Sequence, residues 1–249
     1  MIMQLYGDER LDYVISDETL QIIQSPSVFS YSLDAVLLAH FASIPIAKGN
    51  ILELCSGNGI IPLLLSKRTK AHINGLEIQP RLVEMAHRNI ALNKLGEQIT
   101  IQEGNLTERQ ANLQQSSFDS VICNPPYFPT PKATEHNMNE HLTIARHEVF
   151  CNLDDVIAAC RLYVKPRGKV SLVHRPERLV DIITTMKKHR IEPKRMQLIY
   201  PKAGKEANIL LIEGIRDGNP GLKIHPPLIV YEEDGTYTDS AKDVIYGKR

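Results

Sequence analysis

The chain has 249 residues, 43% of them hydrophobic, with 29 basic and 29 acidic side chains, enough for one α/β domain with a sizeable core. No run approaches the ~18 apolar residues of a membrane span, and the charged N-terminus is no signal peptide; a cytoplasmic protein with no membrane partner is expected. Cys55, Cys123, Cys151 and Cys160 make no C-x-x-C pair, so neither a zinc site nor a disulfide framework is suggested.

Residues 1–45 read as an extension ahead of the first core strand. Within it, Phe29-Ser30-Tyr31-Ser32-Leu33-Asp34 has the look of an amphipathic helix start. The run from Ile51 then predicts a buried strand. A glycine turn follows at Gly57-Asn58-Gly59, and Pro62 falls in the first turn of a helix. Glycines at 57 and 59 let the backbone pass close under a ligand while the helix start presents unpaired N–H groups. Pro62 stands where a third glycine of the dinucleotide fingerprint would fall, which argues against a nicotinamide or flavin enzyme. Ile73 to Ile78 is a second strand, and Glu77 near its end is placed to accept hydrogen bonds from ribose hydroxyls or to cap the helix beginning at Pro80. Pro80 to Asn93 sets Leu82, Met85, Ala86, Asn89 and Ile90 on one helical face.

A strand at Ile99 to Glu103 is followed by Asn105, and the apolar run Phe118 to Cys123 leads into Asn124-Pro125-Pro126-Tyr127. Methylating an exocyclic amine is hard because the nitrogen lone pair is delocalised into the ring. An Asn side-chain oxygen and the carbonyl of Pro125 can each accept one N–H and localise that lone pair. Two prolines stiffen the loop, and Tyr127, with Phe128 beside it, offers an aromatic face for a planar base. His136, His141 and His147 fit no metal-ligand spacing, and no metal is expected.

Further helices are predicted at Leu153 to Val164 and Pro176 to Lys188, and strands at Gly168 to Val173, Met196 to Tyr200 and Ala207 to Gly214. The tail from residue 216 to 249 reads as a loop and a small hairpin with an Asp234-Gly235 turn. Alternation of this kind predicts a doubly wound, mainly parallel, Rossmann-like sheet spanning residues 46–215, with every motif at a strand's carboxyl end. Zero net charge hides an asymmetry. Arg161 to Lys205 holds thirteen Lys or Arg against three acids. Lys187, Lys188 and Arg190 in that block suit a phosphate backbone, or else a solvated helix end.

The order of strand, G-x-G, acid-ended strand and Asn-Pro-Pro-Tyr resembles the class I S-adenosylmethionine-dependent methyltransferases of the amino-group type. Leu52 to Gly59 and Asn124 to Phe128 are most similar to the bacterial tRNA1(Val) adenine-N6 methyltransferases. Ala145-Arg146-His147-Glu148, Lys165-Pro166-Arg167-Gly168 and Tyr200 to Ala207 continue the likeness. The resemblance implies S-adenosylmethionine as cofactor, with Glu53, Gly57 and Gly59 on its methionine and ribose side and Glu77 at the ribose. Asn105 stands where the family usually has an acid for the adenine amine, and Tyr31 lies in the segment that folds over the cofactor. Asn124 would face both cofactor and target amine, with Arg146 among the substrate contacts. The implied reaction is methylation of the N6 amine of an adenine beside a tRNA anticodon. Protein-glutamine N5 methylation and other rRNA or DNA amino methylation are the alternatives, and a noncatalytic RNA-binding module is the non-enzymatic one. The oligomeric state is not legible.

Overall fold

The computed structural model describes residues 4–15, 17–28, 30–127 and 150–246. In chain order the elements are β1 (Arg10–Val14), β2 (Asp17–Gln24), α1 (Leu33–Phe41), β3 (Asn50–Leu54), α2 (Ile60–Ser66), β4 (His72–Glu77), α3 (Pro80–Leu92), β5 (Ile99–Glu103) and β6 (Phe118–Cys123). After them come α4 (Leu153–Tyr163), β7 (Val164–His174), a 3₁₀ turn (Pro176–Arg178), α5 (Leu179–Lys188), β8 (Ile191–Tyr200), β9 (Ile209–Arg216), β10 (Lys223–Ile224), β11 (Leu228–Ile229) and α6 (Asp239–Tyr246).

Nine strands make one sheet in the order β10-β8-β9-β7-β6-β3-β4-β5, with β11 also on β8. All pairings are parallel except those of β9, which runs antiparallel to both β7 and β8. Period-two alternation along the strands feeds two apolar layers. Ile51, Ile73 and Ile122 point into the layer with α1, α2 and α3, whereas Leu52, Leu54 and Val121 point into the layer with α4 and α5. Helix starts follow from local chemistry. Pro80 opens α3 in its first turn, and Asn152 caps α4 in a reciprocal capping box with Asp155.

Four features depart from the sequence expectations. Residues 10–24 form a hairpin whose outer edge is served by side chains. Asn89 Oδ1 accepts the Ile23 N–H at 2.7 Å, and Asn93 Oδ1 accepts the Gln21 N–H at 3.0 Å. The buried polar position on α3 thus stands in for a neighbouring strand. Strand β7 begins at Val164, because Lys165-Pro166-Arg167-Gly168 is absorbed as an irregularity in its register with β6, with Arg167 at φ 66°. The expected tail hairpin shrinks to a single Tyr231–Tyr237 bridge around Asp234-Gly235. Leu228 and Ile229 instead pair in parallel with Ile199 and Tyr200, where the open edge of β8 offers backbone partners. The unforeseen α6 buries Ala241 and Ile245 and packs on α1. Among the described residues, no helix is long and apolar enough to cross a membrane.

Glu213 is the polar anchor of the antiparallel strand. Its carboxylate accepts from Ser43 N (2.8 Å), Ser43 Oγ (2.9 Å), Ser171 Oγ (2.8 Å) and Arg195 Nε (2.8 Å). Burial by itself would raise its pKa, but the Arg195 guanidinium and the Ser43 N–H outweigh that and hold it below the ordinary range. Glu213→Ala is expected to destabilise the fold by ~3 kcal/mol, since it strands a largely buried guanidinium. Urea unfolding measures this, and a loss under ~1 kcal/mol would deny Glu213 that role.

Candidate active site

Strand β3 lies between β4 and β6, and its register aligns their carboxyl ends. Leu54 sits opposite Leu76 on one side and Cys123 on the other. Just beyond that row the chain carries Gly57, Glu77 and Asn124, and they surround a cavity of about 570 Å³. Its wall includes Glu53, Asn105, the Asn124-Pro125-Pro126-Tyr127 loop, Ser32 and Asp34 at the start of α1, Arg175 after β7, and Tyr231 from the tail.

The glycine loop is held against β4 by Glu77. Its Oε2 accepts the Gly57 N–H at 2.8 Å and its Oε1 accepts the Gln79 N–H at 3.0 Å. The Ile78 N–H also hydrogen-bonds this carboxylate. Burial raises the Glu77 pKa, opposed by those N–H groups. Glu53, 1% exposed, accepts from Ser56 Oγ, and burial together with the neighbouring Glu77 charge pushes it well above the usual carboxylate range. Gly75 on the next strand gives Ser56 its room, because a Cβ there would lie 2.6 Å from Ser56 Oγ.

At the other wall, Tyr127 Oη lies 2.6 Å from Asn124 Oδ1 and 2.7 Å from Asp34 Oδ2. The Tyr127 ring sits 5.2 Å from His174, with the Arg175 guanidinium 5.4 Å over its centroid. Burial, then the Arg178 and Arg175 charges, push His174 down to about 4, so it is a neutral neighbour of the loop. Its Nδ1 accepts the Arg175 N–H at 2.8 Å. Cys55 has a left-handed backbone at φ 59° and lines the cavity. Hydrogen bonding with Cys123 and burial keep its thiol well above ordinary, which leaves no thiolate nucleophile there.

Residues 19–150 match the model of the methyltransferase small domain family. The chain belongs to that family, and it is an enzyme. It is 27% identical over 235 residues to the tRNA1(Val) (adenine(37)-N6)-methyltransferase of Porphyromonas gingivalis, covering 90% of each chain. It is 30% identical over 184 residues to the protein of that name from Shewanella sp. strain W3-18-1, covering 72% of this chain and 74% of that one. A solved structure of a predicted O-methyltransferase from Agrobacterium tumefaciens shares the fold at a TM-score of 0.67 and 24% identity, over 86% of this chain and 96% of that one.

In this methyltransferase several sequence-predicted residues meet at the cavity: Glu53, Gly57, Glu77, Asn105, Asn124, Pro125, Pro126 and Tyr127. Others do not. Gly59 is not in the cavity wall; it opens α2 at φ 85°, where a Cβ would lie 3.4 Å from that of Ala86 on α3. Tyr31 also misses the cavity, since its hydroxyl accepts the Ile15 N–H at 2.9 Å and pins the N-terminal hairpin. Its neighbours Ser30, Ser32 and Asp34 line the cavity instead. The Asn105 carboxamide oxygen caps its own turn by accepting the Thr107 N–H at 3.0 Å, which leaves it one further acceptor site.

Lys187, Lys188 and Arg190 lie at the end of α5, outside the cavity wall. The connection from the end of β7 at His174 to the start of β8 at Ile191 is carried by α5 back along the sheet, and β8 returns over 10 residues, about 30 Å. Their charges are also engaged: Lys188 with Asp154 at 2.7 Å, Arg190 with Asp217 at 2.8 Å, and Lys187 with Glu192 at 3.9 Å. Phe128, Arg146 and the three histidines at 136, 141 and 147 lie outside the described residues. Among those described, no cluster of three His, Cys, Asp or Glu side chains could hold a metal. Sequence reasoning counted Arg175 only as one cation of the basic block and gave no part to His174 or Tyr231.

Glu53 generates a pH dependence with a definite sign. Its pKa is higher folded than unfolded, so the native state holds the proton more tightly and loses relative stability as pH rises above 4.5. Glu53→Gln keeps an acceptor for Ser56 without the charge. Its stability relative to wild type should therefore increase from pH 4.5 toward neutrality, as read from urea midpoints. A constant gap across that range would mean Glu53 is not burial-shifted.

Proposed function

We propose that the chain transfers the methyl group of S-adenosylmethionine to the N6 amine of adenine 37, beside the anticodon, in a tRNA1(Val). The observation that carries this reading is the juxtaposition of the Asn124-Pro125-Pro126-Tyr127 loop with the cavity floored by Gly57 and Glu77. The relatives' names supply the substrate; the geometry supports the chemistry.

The cavity is of the size that holds a small-molecule cofactor, and its donor set fits this one. Glu77 would receive the ribose hydroxyls, the Gly57 turn would lie under the methionine end, and Glu53 and Asn105 would flank it. The cofactor supplies an electrophilic methyl group on a sulfonium. The protein's part is to orient the nucleophile. Asn124 and the Pro125 carbonyl would each accept one amine N–H, so that the nitrogen lone pair turns out of the ring plane toward the methyl group. No side chain need form a covalent bond, and catalysis is mostly positioning. The target base must leave its stack, easiest in a single-stranded loop, and Tyr127 lines the place where it would rest. Arg175 at the cavity wall, with Lys202 and Lys205 in the loop after β8, puts positive charge on the same edge for the RNA backbone.

Labelled methyl transfer from cofactor to separate pools of tRNA, duplex DNA, rRNA and release-factor protein tests the reading. Label should enter tRNA as N6-methyladenine; label in protein glutamine or in DNA alone would overturn it. Asn124→Ala should keep cofactor-product affinity by calorimetry and lower kcat by about 10²–10³-fold, the range for loss of one preorganised polar group. A variant turning over near the wild-type rate would remove Asn124 from the chemistry.

A further inference from the structure

The contact between Asp34, Tyr127 and Asn124 contains one proton too few. Tyr127 Oη is within 2.7 Å of two oxygens, Asn124 Oδ1 and Asp34 Oδ2, yet a phenol carries a single proton. An ionised carboxylate is acceptor-only, so it cannot supply the second. Burial and the Asp34 charge hold the phenol well above its ordinary range, so it keeps its own proton. A carboxamide, however, has oxygen and nitrogen in equivalent positions, told apart only by their hydrogen bonds.

We infer that Asp34 is a positioning residue that sets the orientation of the Asn124 carboxamide through Tyr127. Turned over, the amide donates Nδ2–H to Tyr127 Oη, Tyr127 donates its O–H to Asp34 Oδ2, and Ser32 Oγ donates to Asp34 Oδ1. Every group then has a partner of the right sense. The carboxamide oxygen is left as the terminal atom away from Tyr127, available to the incoming amine. In the opposite orientation the amide would present an N–H to the substrate's own N–H, and the clamp would repel what it must hold. A chain of bonds ending on a carboxylate also polarises each member. Electron density is thereby pushed onto the Asn124 oxygen, which makes it a better acceptor.

The proposal also accounts for the start of α1 at the cavity wall. Asp34 is an N-terminal acid of that helix, and its link to Tyr127 spans 93 positions of sequence. The inference rests on the assignment of Asn124 as the amine acceptor, so its test includes a readout independent of turnover.

Asp34→Ala and Tyr127→Phe should each lower kcat by about 10- to 100-fold, the range for a buried hydrogen bond to a charged group. Cofactor affinity, the KM for tRNA and the melting temperature should change little. Asp34→Asn keeps an acceptor oxygen of the same size and should fall between wild type and Asp34→Ala. Because the two residues act in one chain, the double variant should be no slower than the slower single. In the wild-type protein alone, one Asn124 side-chain amide proton should be shifted and slow to exchange by NMR. Both single variants should abolish that signature. Multiplying rate effects, a wild-type kcat in Asp34→Ala, or an Asn124 amide signal indifferent to both substitutions would each overturn the inference. If wild type methylates no tRNA yet the amide signal responds as expected, the hydrogen-bond chain stands and the substrate assignment alone fails.

Discussion

One register governs the molecule: β3 hydrogen-bonded in parallel to β4 on one side and β6 on the other, with Leu54 opposite both Leu76 and Cys123. Parallel strands cannot be joined by tight turns, so each connection must cross over a face of the sheet. The chain winds outward from β3 through β4 and β5, then returns to β6 and winds the other way. At that reversal the connections diverge and a crevice opens above the strand ends. Gly57, Glu77 and Asn124, far apart in sequence, emerge at one height because these strands are in step. A slip of a single residue would turn each strand's apolar set to the wrong layer, so burial of Ile51, Leu52 and Leu54 is also what keeps the site assembled.

The two edges of the sheet divide the electrostatic work. At the amino edge, Arg190, Arg161 and Arg216 gather on the half-buried Asp217, and Lys165 pairs with Asp119. At the carboxyl edge the charges are buried acids. Glu77 is satisfied mainly by backbone N–H groups, and Glu53 by the Ser56 hydroxyl. Both acids are buried, so their interactions are screened less by salt and water than those at the surface. Stability and chemistry are thus assigned to different ends of the same strands. The N-terminal hairpin, tied to α3 by Asn89 and Asn93, leads directly into the Ser32–Asp34 start of α1 and so holds that segment at the cavity wall.

Much of the core was legible because its signals are local. A buried strand followed by a glycine turn, a proline in a helix's first turn and an apolar run ending in Asn-Pro-Pro-Tyr each reflect short-range sterics and period. The hairpin of β1 and β2 was not legible, since its outer edge is completed by side chains 66 and 72 positions away. The tail misled for a related reason. Asp234-Gly235 is a genuine turn signal, but the strand before it found a better partner in the open edge of β8 than in its own hairpin.

Lys187, Lys188 and Arg190 show where sequence reasoning stops. Composition identified a basic block correctly, yet the direction of α5 across the sheet sent its end to the edge opposite the cavity. Tyr31 and Asp34 are three positions apart in one motif-like segment, and only packing decided that the first pins a hairpin and the second reaches Tyr127. By itself, then, the sequence determined the alternating strands and helices, the glycine turn, the acid at a strand end and the Asn-Pro-Pro-Tyr tetrapeptide after an apolar strand, because these depend on backbone sterics and side-chain period. Which of those groups face one cavity, which cation stands beside it, and which carboxylate reaches Tyr127 were decided only by tertiary structure. Each of these depends on contacts between segments that are distant in the chain, and no local rule specifies them.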